Sequence, residues 1–185
     1  MDTAKRIFAS FVEVLEIAFV AVMAVFIIRN FLVQPFLVNG ASMEPNFSNS
    51  DYLLVDELVY RFRDPRRGEV IVFRYPGDES TFYIKRIIGL PYERVVLKDG
   101  VIKIFGDESN EKLELEEPYL APGLLTRGEN DVILGADEYF VFGDNRSYSF
   151  DSRSWGPLPA KDLIGLVRVR LWPLNNISMF EAPTY

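Results

Sequence analysis

The sequence predicts a mostly β protein, a single β-sandwich or partly open barrel carried on one N-terminal transmembrane helix. Three observations predict it. Residues 8–28 are uncharged apart from Glu13 and Glu16, and nearly all apolar. Beyond Arg29 the apolar residues fall into short runs separated by Pro, Gly, Asn and Asp. One of those boundaries, Asp99-Gly100, lies between two β-branched runs, the pattern of a two-residue hairpin. The chain accordingly divides into a short cytoplasmic tail (1–7), a membrane helix (8–28) and an extracytoplasmic β-rich domain (29–185), with a surface excursion at about 107–130.

As a helix, residues 8–28 would be about 31 Å long, close to the thickness of a bilayer's hydrocarbon core. Ile17 to Ile28 is apolar on nearly every side, whereas a surface helix of a globular domain shows a stripe. A buried core helix is the competing reading. A cleaved leader is another, since Val22-Met23-Ala24 is a passable small-residue triplet, but apolar sequence continues past it to Val38. Lys5 and Arg6 precede the segment and only Arg29 follows it before Arg61, which favours the amino terminus inside.

The strands follow in order. Phe31–Val38, broken by Pro35, suits an edge or bulged strand, whose apolar side chains either dip into the membrane interface or pack in the core. Tyr52–Asp56, Glu69–Arg74 and Thr81–Ile88 each follow a polar or Pro/Gly turn. Val95–Lys98 and Val101–Ile104 flank the hairpin turn. Asp107–Asn130 is acidic and Pro/Gly-punctuated, with room for a short strand near Tyr119. Glu138–Phe142 and Leu163–Trp172 complete the set.

Composition narrows the chemistry. The 185 residues carry a formal net charge of -7, which argues against a nucleic-acid partner. Histidine and cysteine are both absent, so a Ser-His-Asp triad, a Cys-His pair and a thiolate metal site are all excluded. No metal or cofactor is expected. Any serine nucleophile needs a carboxylate, a lysine or an amine terminus as its base.

Gly40-Ala41-Ser42-Met43-Glu44-Pro45 sets a serine among small residues after an apolar run. Taken alone, Ser42 is as well explained as a turn hydroxyl. Lys85 lies within the apolar run Phe82–Ile88, where alternation sets Tyr83, Lys85 and Ile87 on one face and Phe82, Ile84 and Arg86 on the other. A free lysine, with a pKa near 10.4, is neutral in only about one molecule in 2,500 at pH 7. Burial would lower that pKa and make a base of it, but an exposed edge-strand lysine is the commoner outcome. A third stretch, Gly143 to Gly156, holds paired opposite charges, turn formers and Trp155, more than a solvated loop needs.

Ser42-Met43-Glu44-Pro45, Tyr83 to Pro91 and Gly143 to Gly156 together resemble the bacterial type I signal peptidases, in the family's order. The resemblance implies a Ser-Lys endopeptidase that removes signal peptides from exported preproteins, cutting after small residues. Ser42 would be the nucleophile and Lys85 the general base. Ser149 would hydrogen-bond the lysine amine, Asp151 and Arg153 would form a supporting ion pair, and Asp144 would engage Arg86. Gly40, Met43 and Tyr83 would line the oxyanion and substrate region. Signal peptides, membrane lipid and the export machinery are the implied partners, and the bacterial plasma membrane the implied location. The chain departs from the family pattern at Asn46, usually threonine, at Gly40, serine in some members, and at Tyr92, usually glycine.

Two other classes compete. A self-cleaving Ser-Lys repressor would need a DNA-binding module, which the apolar amino terminus and net charge oppose. An inactive, membrane-tethered β-domain acting as a binding module would need neither Ser42 nor Lys85.

Overall fold

The computed structural model describes residues 2–27, 33–106, 112–183 and 185. Its first element, α1 (Asp2–Ile27), takes in most of the expected tail as well. From Ser10 to Met23 every side chain of α1 is exposed, Phe11, Ile17 and Phe19 among them, so over that span the helix has no buried face. Among the described residues no helix is long and apolar enough to cross a membrane. A helix forms over the described part of the expected span 8–28, and its crossing of a membrane stays an expectation. The far end of that span, Ile28, together with Arg29, Phe31 and Leu32, lies outside the described residues.

The remainder is mostly β, as alternation and turn spacing require. The strands are β1 (Val33–Leu37), β2 (Tyr52–Asp56), β3 (Val70–Tyr75), β4 (Asp78–Gly89), β5 (Arg94–Lys98) and β6 (Val101–Phe105). They continue as β7 (Lys112–Glu114), β8 (Asn130–Ile133), β9 (Glu138–Phe142), β10 (Leu158–Pro159), β11 (Leu163–Trp172) and β12 (Ser178–Met179), with a one-turn helix α2 (Ser152–Trp155) after β9. They form two antiparallel sheets of unequal size. The larger runs β1-β2-β11-β3-β4-β9-β10, with β12 on β11, and among the described residues it is an open path. The smaller runs β7-β6-β5-β8.

Pairing polarity explains the division. β3 and β4 alternate sides so that Val72 and Ile84 enter one core cluster with Val38, Met43, Phe47 and Leu53, while Ile71, Phe73, Tyr83 and Ile87 enter another with Val141 and Leu158. The small sheet cannot bury its own apolar face alone. It packs Val95, Leu97, Ile102 and Ile104 on Ile88, Phe140 and Phe142 of the large sheet. Burying one such side chain contributes about 1.5–3 kcal/mol. The Asp99-Gly100 turn forms with positive φ at both residues, as a two-residue hairpin of this kind demands.

The expected excursion at 107–130 is revised. Residues 107–111 lie outside the described set, but Lys112–Glu114 pairs with β6 and Leu115 and Thr126 are buried. Leu-Glu-Leu-Glu alternation at 113–116 drives that burial. The expected strand near Tyr119 is a turn instead, from which Leu120 donates its N–H to Glu117 O.

Candidate active site

Ser42 sits in the turn joining β1 to β2. The turn is cinched at its base, where Val38 and Asp51 pair and Ser50 donates back to Val38 O. Met43 and Phe47 are sunk in the core at 1% and 0% exposure, and Phe47 N–H closes on Met43 O at 2.9 Å. Beneath them the buried Arg170 guanidinium donates to Asp51 Oδ2 at 2.7 Å and to Asn46 O at 3.0 Å. The Met43 side chain is therefore core, and only its backbone borders the site. Gly40 has φ +107°, a conformation that strains an L side chain, and its N–H donates to Asn49 Oδ1.

Lys85 lies mid-strand in β4, paired opposite Ile71 of β3. It is 3% exposed. Nζ lies 2.7 Å from Ser42 Oγ and donates to Ile84 O at 2.9 Å. The Tyr83 ring centroid is 5.3 Å from Nζ, and Tyr83 itself joins an aromatic wall with Phe73 and Tyr75. Burial pushes the Lys85 amine down to about 8, against the opposing pull of Asp151 and Asp144.

Both carboxylates carry their own arginine. Asp144, 0% exposed, accepts from Arg86 Nε at 2.8 Å and from the Arg86 terminal nitrogen at 2.6 Å. Asp151 accepts from Arg153 Nε and Nη2 at 2.8 and 2.7 Å and from Gly143 N–H at 3.0 Å. Burial alone would raise the Asp151 carboxyl, but the Arg153 guanidinium and the Gly143 N–H hold it below the usual carboxylate range. Asp151 also caps α2.

The expected Ser149–Lys85 hydrogen bond is not formed. Ser149 Oγ is buried without a well-formed hydrogen bond, close to Asp151 and pressed on Gly143. A side chain at Gly143 would meet Ser149 Oγ at 2.2 Å and Ser42 O at 2.4 Å, so glycine is what lets the two loops touch.

Several contributors escaped the sequence reading. Asn145 donates its N–H to Ser42 O and its side chain to Ala41 O, both at 3.0 Å, stitching the two loops together. Asn46 donates to Asp144 Oδ2 at 2.8 Å and to Tyr119 O at 2.9 Å. Arg146, buried, pairs with Glu117 and contacts Thr126. Their only sequence signal was membership of, or proximity to, the polar stretches already singled out. Among the described residues no group of three or more carboxylates could hold a metal ion. What the arrangement can do is chemical: a hydroxyl touches a desolvated amine at the wall of a small cavity.

The family described as "Signal peptidase, peptidase S26" matches residues 11–172 of this chain. Signal peptidase I P of Bacillus subtilis subsp. natto is 33% identical over 181 residues, 95% of this chain and 97% of that one. Probable signal peptidase I-2 of Synechocystis is 36% identical, over 82% of this chain and 69% of that one. A solved signal peptidase I from Enterococcus faecalis V583 is 27% identical, with a TM-score of 0.47 over 56% of this chain and 97% of that one.

Proposed function

The chain belongs to the signal peptidase family, peptidase S26, and from that premise we propose that it is a membrane-bound serine endopeptidase removing N-terminal signal peptides from exported preproteins. Ser42 is the nucleophile and Lys85 its general base. The observation that carries this reading is the 2.7 Å contact between Ser42 Oγ and an amine 3% exposed.

With its pKa near 8, about one Lys85 in ten is neutral at pH 7; at the ordinary 10.5 it would be about one in 3,000. The neutral amine takes the Ser42 proton as Oγ attacks the scissile carbonyl. The Ser42 backbone N–H is the donor available to the oxyanion, since Gly40 brings no hydroxyl. The ammonium then protonates the departing amine, leaving an ester on Ser42. Water, deprotonated by the same lysine, releases the acyl group.

A cavity of about 100 Å³ lies beside Ser42 and Lys85, walled by Phe36, Val38, Leu53, Val72 and Ile84. It has room for a small aliphatic side chain beside the hydroxyl, which supports cleavage after small residues. β1 is the end strand of the large sheet, an edge onto which an extended peptide can add. The exposed apolar side chains of α1 support a membrane tether, with Lys5 and Arg6 on the inner side and the β-domain outside. There it meets lipid, the signal peptides and, through them, the export machinery. Enzyme and substrate in one bilayer meet at a raised effective concentration.

The test is cleavage of a preprotein by the full chain in detergent, with the pH dependence of kcat/KM. The expected ascending limb lies near pH 8, and Ser42→Ala and Lys85→Met each abolish cleavage. A wild-type chain that binds preprotein without cutting it would leave the tethered binding module standing instead.

A further inference from the structure

Next to Lys85 in β4, Arg86 carries a layer of side chains that the mechanism does not use. The guanidinium carbon of Arg86 sits 3.9 Å from the centroid of the Tyr119 ring. The Tyr119 carbonyl accepts from Asn46, whose same amide nitrogen donates to Asp144. The Tyr119 hydroxyl donates to Glu117 at 2.6 Å, and Glu117 is fixed in turn by the buried Arg146. Tyr185 completes the cover, packing with Pro183 over Gly68, whose carbonyl accepts from Arg86 at 2.8 Å. A turn in the 107–130 excursion is thus tied to the Arg86–Asp144 ion pair.

We propose that Tyr119 is a positioning residue for Lys85: its ring closes the Arg86–Asp144 ion pair from one side and its carbonyl holds Asn46 on that pair, which keeps the ground beneath the amine dry and electrically quiet. This rests on the Ser42–Lys85 reading given above. The charged groups around Lys85 are Asp144 and Asp151, each with its own arginine, Arg86 and Arg153. Those around Tyr119 are Glu117, Arg146 and Arg86, with Tyr185 alongside. A planar cation stacked on an aromatic face and held bidentately by a carboxylate has little freedom to swing away. Without the ring, Arg86 gains room to leave Asp144 and water gains a path to the pair. Both changes act in one direction. A less neutralised Asp144 favours the ammonium, and so does hydration.

The experiment uses the full chain in detergent with lysine labelled at 13Cε, the Lys85 resonance being assigned by its loss in Lys85→Met. The titration midpoint of that resonance and the ascending limb of kcat/KM are measured for wild type, Tyr119→Leu, Tyr119→Phe and Asn46→Ala. Tyr119→Leu should raise the midpoint and the limb together by about one pH unit, roughly a tenfold loss of kcat/KM at pH 7. Asn46→Ala should move both in the same direction, and Tyr119→Phe should return them to the wild-type position because the ring and carbonyl remain. Should Tyr119→Leu not fold, Asn46→Ala against Tyr119→Phe carries the comparison. Midpoints that stay at the wild-type value in both Tyr119→Leu and Asn46→Ala, or that rise equally in Tyr119→Phe, overturn the proposal. A midpoint that moves as expected in a chain that cleaves nothing supports the positioning role and refutes the protease reading, so the two failures are separable.

Discussion

Replacing Lys85 by methionine should change stability in a way that depends on pH with a definite sign. The Lys85 amine titrates near 8 in the folded chain and near 10.5 when unfolded. Between those values the unfolded chain holds more protons, so wild-type stability rises with pH through the window from 8 to 10.5 and is lost as pH falls through 8. The ammonium thus destabilises the fold by about 3 kcal/mol at pH 7, and by only about 1 kcal/mol at pH 10. Methionine has similar length and no charge. It removes that cost but also the contacts to Ser42 Oγ and Ile84 O, together worth about 2 kcal/mol. Lys85→Met should therefore be slightly more stable than wild type at pH 7, by about 1 kcal/mol, and less stable at pH 10. The change in the difference, about 2.5 kcal/mol, corresponds to roughly 5–10 °C in relative Tm for a chain of this size. Melts of both full chains followed by near-ultraviolet circular dichroism at pH 7 and pH 10 measure it, since every other titrating group cancels in the comparison. A Tm difference that stays constant across that range would show that the amine is not desolvated, and the account of its basicity would fall with it.

Lys85→Arg should be inactive toward preprotein although it keeps the charge, because a guanidinium stays protonated at every accessible pH; a cleavage assay up to pH 10 checks this. Gly143→Ala forces a methyl group onto Ser149 Oγ and Ser42 O, so it should either abolish cleavage by parting the two loops or lower urea stability by about 3 kcal/mol or more. Asp144→Asn leaves the Arg86 guanidinium buried without its counter-charge and should cost about 3–5 kcal/mol in urea unfolding. Asn145→Ala removes the bond to Ala41 O but keeps the backbone bond to Ser42 O, so it should cost only about 1 kcal/mol and leave the ascending limb of the pH profile in place.

What could be read before folding was whatever local pattern dictates. Strand β9 (Glu138–Phe142) and strand β11 (Leu163–Trp172) begin and end where alternation and turn residues set them, and the Asp99-Gly100 hairpin needed no tertiary information. The face assignment of Tyr83, Lys85 and Ile87 also followed from the two-residue repeat of a strand. Long-range facts were not legible. Nothing in Asp107–Asn130 announces that Tyr119 covers Arg86, because acidic, Pro-rich sequence looks the same whether it is solvated or folded back on an arginine. Nor does spacing distinguish Ser149 bonded to the amine from Ser149 pressed on Gly143; that turns on how the 143–151 loop settles against β4, more than fifty residues earlier in the chain.

The local electrostatics raise a difficulty that the fold resolves. A lysine proposed as a base should not have two carboxylates for neighbours, since each favours its protonated form, yet Asp144 and Asp151 both pull on Lys85 in that direction. Either removed outright would leave an arginine, the buried Arg86 or the half-buried Arg153, with no counter-charge. The carboxylates are therefore better regarded as halves of two neutral pairs than as charges. A bidentate ion pair projects a dipole, and its field falls off faster than that of a bare ion. The same pairs hold the loop that carries them: Asp151 binds the Gly143 N–H and caps α2, and Asn145 of the same stretch grips the backbone of Ser42 and Ala41. One set of contacts thus brings the hydroxyl within 2.7 Å of the amine and leaves burial as the dominant influence on its proton affinity. Had the loop been anchored by unpaired acids instead, the geometry could have been the same, but the amine would stay protonated.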